Sequence, residues 1–516
     1  MVTDLLEGLS PAQSEAVTTP AAPLAILAGP GSGKTHTLTR RVAYQCLAGR
    51  ADPGHTLVLT FSRRAATELT GRLFRLGLPT GVRRGGVVAG TFHAVAWAEV
   101  SRYRAERGLP TVAVLGRPGR LVARAIGEAL GRDPWPGEVG ATLSGWSRLR
   151  ADGLIPHDDV WTTYDGLKRA RRVVDLDDLL EQCTEILTGD RSAADAARWR
   201  HRHVLVDEYQ DLNSAHCRLL HAWVAGRPDV CVVGDPGQAI YGFNGSVPDL
   251  FDRLDGDWPG VEVITLGDNF RSTPEIVDLA GAVGSRGRSL RPAGPIPTLT
   301  EYADEDSETA AITAALAARR APRRSWAGMA VLARTNARLR QIGAALDAAD
   351  IPWRMRDPRP LADHAALASA PDDALATALD LESAGAPLAA ALAEYHETSP
   401  LGTVRGFISW LDASGATGDV GAPGGVELAT FHRAKGLEWP AVWVVGVGDL
   451  SPTDEERRLL YVALTRASEE LAVSWAGTAS EWVGALAAVR ARLAASPAPD
   501  EQRRRLHELV GLLAAS

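Results

Sequence analysis

Short apolar runs that stop abruptly at a glycine or an acid recur along this 516-residue chain and predict its strands. Leu24–Ala28 is one. It precedes a glycine-rich loop, and from Thr35 onward the spacing turns helical. His203–Val206 is a second run, ending in Asp207 and Glu208, and the run from Val230 is a third, ending in the loop "GDPGQAIYGFNGS". Elsewhere the pattern predicts helices over "LVARAIGEAL" (Leu121–Leu130), "YDGLKRARRVV" (Tyr164–Val174), Leu361–Ala370 and Asp372–Leu381. The chain closes on "SPAPDEQRRRLHELVGLLAAS", a proline-broken linker and an amphipathic helix with Leu506, Leu509, Val510 and Leu513 on one side. Packing against its own chain and docking a partner are both open to that helix.

The loop after the first run adds chemistry. Gly29, Pro30, Gly31, Ser32, Gly33, Lys34 and Thr35 follow the phosphate-loop spacing x4GK[ST], with Ala28 in the place of its usual first glycine. Glycines let successive backbone N–H groups turn inward and form an anion-binding concavity at a helix N-terminus. Lys34 then reaches the β- and γ-phosphates of a nucleotide, and the Thr35 hydroxyl can hold Mg²⁺. Lysine is rare here: of 55 basic residues only Lys34, Lys168 and Lys435 are lysines. A lysine kept in such a loop points to a need for a compact ammonium, which arginine does not replace. In a phosphate-loop ATPase the acids after a second strand deliver an aspartate to the metal, here Asp207, and a glutamate to the attacking water, here Glu208. Gln238, in the third loop, can sense the γ-phosphate. Tyr241 and Phe243 on the same loop suit stacking on unpaired bases, or else plug a domain interface.

Composition bounds the class. A hydrophobic content of 45% with 23% charged residues is that of an ordinary globular chain, long enough for two to four domains. The four cysteines, Cys46, Cys183, Cys217 and Cys231, show no CxxC spacing, which argues against zinc, an iron–sulfur cluster or a disulfide framework. With no signal-peptide pattern and no 18-residue apolar run, a cytoplasmic location without membrane contact is expected. The net charge of −8 is unevenly spread: Phe61–Asp175 holds 19 Arg/Lys against 11 Asp/Glu. Such a segment is either the footprint of a polyanion or a solvated helix surface.

Eleven motifs along the chain resemble a superfamily 1 helicase of the UvrD/Rep/PcrA type. The phosphate loop, "VLVDEYQD" and "VVGDPGQAIYGF" are joined by "LSPAQ" (Leu9–Gln13), "TFSRRAATEL" (Thr60–Leu69), "GTFHAVAW" (Gly90–Trp97) and "VDLDDLL" (Val174–Leu180). "LGDNFRSTPEI" (Leu266–Ile276), "VLARTNARLR" (Val331–Arg340), "VELATFHRAKGLEWPAVWVVG" (Val426–Gly446) and "EERRLLYVALTRASEEL" (Glu455–Leu471) follow. The resemblance implies an α/β fold of two RecA-like P-loop motor domains using ATP and Mg²⁺ in the cleft between them. It places Gln13 and Phe270 on adenine (Phe270 where relatives more often have tyrosine), Glu438 on the ribose and Arg40 on the nucleotide. Arg271 and Arg466 become arginine fingers. Phe61, Thr91, His93, Tyr241, Phe243, Arg334, Asn336, Thr430 and His432 become contacts to single-stranded DNA. Phe243 stands where many relatives have tryptophan, and Asn244 where they have arginine.

The implied organisation is motor domain 1A over 1–94 and 175–270, a helical insertion 1B over 95–174, and motor domain 2A over 271–356 and 426–485. A much reduced 2B insertion over 357–425 and a linker with a C-terminal helix over 486–516 complete it. The resemblance points to an ATP-dependent 3′→5′ translocase and helicase acting on single strands and single/double-strand junctions in repair, replication or defence. The compact build is also similar to the helicase partner of Gabija-type antiphage systems, so a motor subunit working with a protein such as a nuclease is a second reading. A scaffold with a dead ATPase is disfavoured, because Lys34, Asp207, Glu208, Gln238, Arg271 and Arg466 are all present.

Overall fold

The computed structural model describes residues 3–81, 85–115, 118–242, 250–319, 325–360, 392, 395, 407, 417–421 and 424–495. Phe243, Asn244, the helices expected over Leu361–Ala370 and Asp372–Leu381, and the C-terminal helix lie outside them. Contacts divide the chain into two units. One comprises Met1–Ala28, Lys34–Leu266 and Asp357–Gly418, and the other Gly29–Gly33, Gly267–Arg356 and Asp419–Ser516.

In the first unit, β1 (Leu24–Ala28), β2 (Thr56–Thr60), β3 (Val88–Thr91), β4 (His203–Val206), β5 (Val230–Gly234) and β6 (Glu262–Leu266) form one sheet in the order β3-β2-β4-β5-β1-β6. Every pairing is parallel. Parallel strands need crossover connections and are covered on both faces, which is why these runs are apolar throughout. Leu57 and Leu59 face one core with Phe92, Leu180 and Trp223, while Val58 faces another with Leu24, Ile26 and Leu38. The helices are α1 (Pro11–Thr18), α2 (Lys34–Leu47), α3 (Arg63–Arg75), α4 (Phe92–Glu106), α5 (Gly119–Leu130), α6 (Glu138–Ala151), α7 (Asp159–Arg171), α8 (Leu176–Gly189), α9 (Arg191–Arg200) and α10 (Ser214–Val224).

α5, α6 and α7 close their own small core around Leu121, Val122, Ile126, Trp146 and Tyr164. α4, which runs through position 95, instead packs Val95, Trp97 and Val100 into the main core. The helix expected over Tyr164–Val174 stops at Arg171. Arg172 adopts a left-handed conformation (φ 54°), and Val173–Val174 pair in parallel with Ala113–Val114. From the segment between the second unit's insertion ends, Leu392, Tyr395 and Phe407 join the first unit's core, and Tyr395 lies 6.0 Å from Trp97.

The second sheet, mostly of the second unit, holds β7 (Thr298–Tyr302), β8 (Met329–Ala333), β9 (Trp353–Pro360), β10 (Thr417–Gly421), β11 (Val426–Thr430), β12 (Trp439–Val444) and β13 (Ala467–Ala476), in the order β7-β13-β12-β8-β11-β9-β10. The helices of the second unit are α11 (Pro274–Ala280), α12 (Glu305–Ala318), α13 (Asn336–Ala348), α14 (Asp454–Leu464) and α15 (Glu481–Ala495). α15 runs on past position 486 and buries Val483, Leu486 and Val489. Among the described residues no helix is long and apolar enough to cross a membrane.

Candidate nucleotide and nucleic-acid sites

In a parallel sheet the loops that leave the C-terminal ends of the strands gather on one edge, where ligands of such sheets bind. Three adjacent strands, β4, β5 and β1, bring the predicted ATPase residues to that edge. Lys34 opens α2, and its Nζ donates to Ala28 O (2.9 Å) and stands 4.0 Å from Asp235 Oδ2. Thr35 follows it on the same first turn. Asp207 is buried at the end of β4, where its Oδ1 accepts from Glu208 N (3.0 Å). Glu208 has φ 54° and ψ 43°, a left-handed conformation that a non-glycine residue adopts at a cost of about 1–3 kcal/mol. Strain of this kind clusters at functional sites, and here it re-aims the carboxylate directly after the buried aspartate.

Two residues that sequence reasoning did not single out tie this edge together. Gln210 donates through Nε2 to Glu208 Oε2 (2.5 Å), while its Oε1 accepts from Asp235 N (2.9 Å). Asp235 in turn accepts from Gln238 Nε2 (2.7 Å). A Cβ at Gly234 would lie 2.3 Å from Gln210 Oε1, so only glycine lets β5 approach so closely. Gln210 lies inside the quoted "VDEYQD" and Asp235 inside "GDPGQ", so a buried amide and acid next to the candidate base were the available signal.

Gln13 is buried in α1, where its Oε1 accepts from Ser10 N (2.9 Å) in a capping box. Arg40 donates to Leu5 O (2.9 Å) and Glu7 O (2.6 Å), which fastens the segment before α1 to α2.

In the second unit, Asn269 Nδ2 donates to Pro30 O (2.8 Å), and Phe270 N donates to Gly31 O (2.8 Å). Gly31 has φ 70°, and a Cβ there would lie 2.6 Å from Asn269 Oδ1. Ser32 Oγ donates to Gly29 O (2.7 Å), closing the turn that leads to Gly33. Asn269 is a further residue the sequence reading passed over. Arg271 pairs with Glu438 (Nε to Oε2, 2.5 Å) and reaches Thr465 O (3.3 Å). Phe270 is exposed. Arg466 is 2% exposed, and its guanidinium donates to Val462 O (2.9 Å), Leu437 O (3.2 Å) and Thr465 Oγ1 (3.0 Å).

The nucleic-acid candidates also fall into two groups. Phe61, Thr91 and His93 line a cavity of about 380 Å³ with Trp146, Trp161 and Tyr164 of the helical insertion. Phe61 stacks on Tyr241 with ring centroids 4.7 Å apart. Thr91 caps α4, accepting from Ala94 N (3.2 Å). Burial pulls the His93 imidazole down to about 4, so it is neutral at pH 7. In the second unit Thr430 ends β11 and His432 follows. Burial, with Arg334 nearby, pulls His432 down to about 4. Arg334 pairs with Glu456 (2.8 Å), and Asn336 is exposed at the start of α13.

The basic segment is substantially neutralised. Arg102, Arg107, Arg124 and Arg132 all hold carboxylates, as do Arg150 and Lys168. Arg124 is thus a solvated helix residue, whereas Arg150 and Lys168 are buried in ion pairs, a role that neither reading of the segment offered.

The chain is similar to known proteins along most of its length. The model of the UvrD/REP helicase N-terminal domain matches residues 9–115 and 150–259, and that of the UvrD-like helicase C-terminal domain matches 425–474. Over 92% of its length the chain is 32% identical to the ATP-dependent DNA helicase UvrD2 of Mycobacterium tuberculosis (strain ATCC 25618 / H37Rv), covering 79% of that protein. It is 26% identical to the putative ATP-dependent DNA helicase YjcD of Bacillus subtilis (strain 168), over 90% of this chain and 78% of that one. It is 30% identical to the ATP-dependent DNA helicase PcrA of Leuconostoc citreum, over 69% and 50% respectively.

Proposed function

The chain belongs to the UvrD/Rep helicase family, and from that premise we propose that it is an ATP-driven motor that moves 3′→5′ along single-stranded DNA and opens duplex ahead of it. The observation that carries this reading is the polar chain at the C-terminal edge of the first unit, in which Lys34 faces Asp235 at 4.0 Å and hydrogen bonds run from Asp235 through Gln210 to Glu208. A phosphate-binding lysine and an ionisable base are linked there through one buried acid and one amide.

Each residue then has a task. Lys34 and the loop N–H groups bind the phosphates, and Gln238 reports on them through Asp235. Glu208 takes the proton of the attacking water, and Gln210 orients its carboxylate. Thr35 and Asp207 offer one hydroxyl and one carboxylate, hard oxygen donors that fit Mg²⁺, an ion that keeps several waters and phosphate oxygens of its own. When bound, Mg²⁺ offsets the phosphate charge. Arg271 and Arg466 supply finger charge. Glu438, paired with Arg271 in this structure, takes the ribose, and Gln13, Phe270 and Arg40 hold the base end. Phe61, Tyr241 and Phe243 stack on bases while Thr91, His93, Thr430, His432, Arg334 and Asn336 line the strand's path.

The test measures ATP hydrolysis with and without single-stranded DNA beside unwinding of a duplex with a 3′ tail, and of one with a 5′ tail. DNA-stimulated hydrolysis with unwinding of the 3′-tailed duplex alone is expected. Unwinding from the 5′ tail overturns the polarity. Strong hydrolysis with weak unwinding points to a motor subunit that works with a protein partner such as a nuclease.

A further inference from the structure

Opposite the nucleotide edge, the N-terminal ends of β2 and β4 carry a second cluster that the motor chemistry does not use. Trp199, near the end of α9, is 60% exposed. His55 lies against its ring with centroids 4.9 Å apart, and the Arg202 guanidinium is 5.8 Å from the ring centre, within cation–π range. Arg202 N donates to His55 O (2.9 Å), which fixes the two residues side by side. Arg198 and Arg227 border them: Arg227 donates to Arg198 O (3.0 Å) and His201 O (3.2 Å), and Arg198 donates to Ala222 O (3.0 Å) and Leu187 O (3.1 Å).

The charge of this cluster is not cancelled in the way it is in the insertion. Among the described residues, Arg198, Arg202 and Arg227 form no ion pair, and the first and last spend their N–H groups on neutral carbonyls. Partial burial lowers the Arg227 guanidinium, Asp229 opposes this, and the like charges of Arg198 and Arg202 lower it further. Asp229 itself is held by His203 Nδ1 (2.5 Å). The Arg202 guanidinium therefore stands beside a large exposed aromatic face, with Arg198 and Arg227 close enough to add their charge and Asp229 the one carboxylate acting on Arg227, a combination that fits a phosphate chain carrying planar bases.

We propose that Trp199, Arg202 and the flanking Arg198 and Arg227 form a second binding site for single-stranded nucleic acid on the N-terminal edge of the first unit's sheet. A base stacks on Trp199, and Arg198, Arg202 and Arg227 attract the phosphates on either side. β2 runs from His55's neighbour Thr56 to Thr60, beside Phe61, so the two sites are separated by about 17 Å of strand. A strand long enough to occupy both gains affinity that a short one cannot. The proposal rests on the motor reading only in taking single-stranded DNA as the ligand.

The test uses the full chain with Trp199→Ala and, separately, Arg202→Glu, both at exposed positions. Binding is measured on oligo(dT) of about 10 and about 40 nucleotides across a salt series, with DNA-stimulated hydrolysis on the short strand as a control. Each variant should bind the long strand about 5- to 10-fold more weakly and the short strand as wild type does, with hydrolysis unchanged. Arg202→Glu should also flatten the slope of log K against log salt on the long strand by roughly 0.7 or more. Equal loss on both lengths would put these residues on the motor's own track and overturn the second site. No loss on the long strand overturns it too, and competition by polyglutamate at that face would then identify an acidic protein partner. Wild-type protein that binds neither length would overturn the motor reading as well, an outcome separate from selective loss.

Discussion

Lys34 and Lys168 are two of only three lysines in the chain, and their surroundings could hardly differ more. Lys34 stands beside a glycine loop at the open edge of a sheet, with a carbonyl at 2.9 Å and the Asp235 carboxylate at 4.0 Å. Lys168, 2% exposed, sits 2.8 Å from Asp175 and 2.7 Å from Asp178, with the Tyr164 ring 4.9 Å away. Arg150 grips the same two carboxylates and Glu181. The second ammonium is held inside an internal charge network that joins α6 and α7 to α8. Rarity of lysine therefore marks places where a compact ammonium fits and a guanidinium does not. Whether the need comes from a ligand or from packing is set by what surrounds it.

The sharpest extension of this contrast is at the second unit's arginines. Arg271→Ala should lower DNA-stimulated hydrolysis by about 10³–10⁵, with DNA affinity unchanged, as loss of a finger does. A comparable loss of DNA binding would make Arg271 a structural residue like Lys168. Next in size, Lys34→Ala and Glu208→Gln should each lower hydrolysis by at least about 10²–10⁴ with the melting temperature unchanged. Lys34→Ala should also weaken ATP binding, whereas Glu208→Gln should retain it. Hydrolysis near the wild-type rate in the glutamine variant would remove Glu208 from the role of base.

Lys168→Met should do the reverse. It leaves Asp175 and Asp178 with less compensation, so urea unfolding should show a loss of about 3–5 kcal/mol, while hydrolysis per folded molecule is kept. A wild-type urea midpoint would break the comparison outright. Smaller again, Phe61→Ala should cost roughly 1–3 kcal/mol in single-strand affinity, whatever the base sequence. Unchanged affinity would return the Phe61–Tyr241 pair to packing.

Acid separates the two surroundings most finely. Burial pushes Asp175 up, but Arg150 and Lys168 outweigh it and hold the carboxyl at about 2. Its contribution is present above the unfolded value and is lost only as pH falls through about 2. Asp178 is raised, by burial and by Asp175, and so works the other way. His93 and His432 are depressed from 6.5 to about 4, so the unfolded chain binds more protons than the folded one between those values. Stability should therefore fall as pH drops from 6.5 to 4, by at most about 1.4 kcal/mol per pH unit for each histidine. Thermal melts of His93→Gln across that window should show a shallower decline, and a decline as steep as wild type would assign it to other groups.

The strands were legible locally where an apolar run is bounded by glycine or acid, and Leu24–Ala28 and His203–Val206 occur as the residue pattern predicts. Runs buried on both faces leave a mark in every residue, so their ends are visible without knowing their neighbours. The phosphate loop, the Asp207–Glu208 pair and Gln238 stand out in the sequence as candidates because the chemistry proposed for them needs fixed residue types at fixed spacing. The end of α7 was not. Val173–Val174 leave the helix to pair with Ala113–Val114, a partner some sixty residues earlier that no local window contains. Gln210 and Asp235 gained their meaning only when β4 and β5 lay side by side, since the bond between them spans 25 residues of chain. Trp199 and Arg202 carry no local mark of a shared site, which forms only where His55 lies against the Trp199 ring. Sequence by itself determined the strand runs and the residue types that phosphate chemistry requires, because both are written in contiguous residues. Which buried amide meets which acid, which lysine is consumed by carboxylates and which aromatic stands among uncancelled charges depend on non-adjacent segments meeting, and only the tertiary structure decided those.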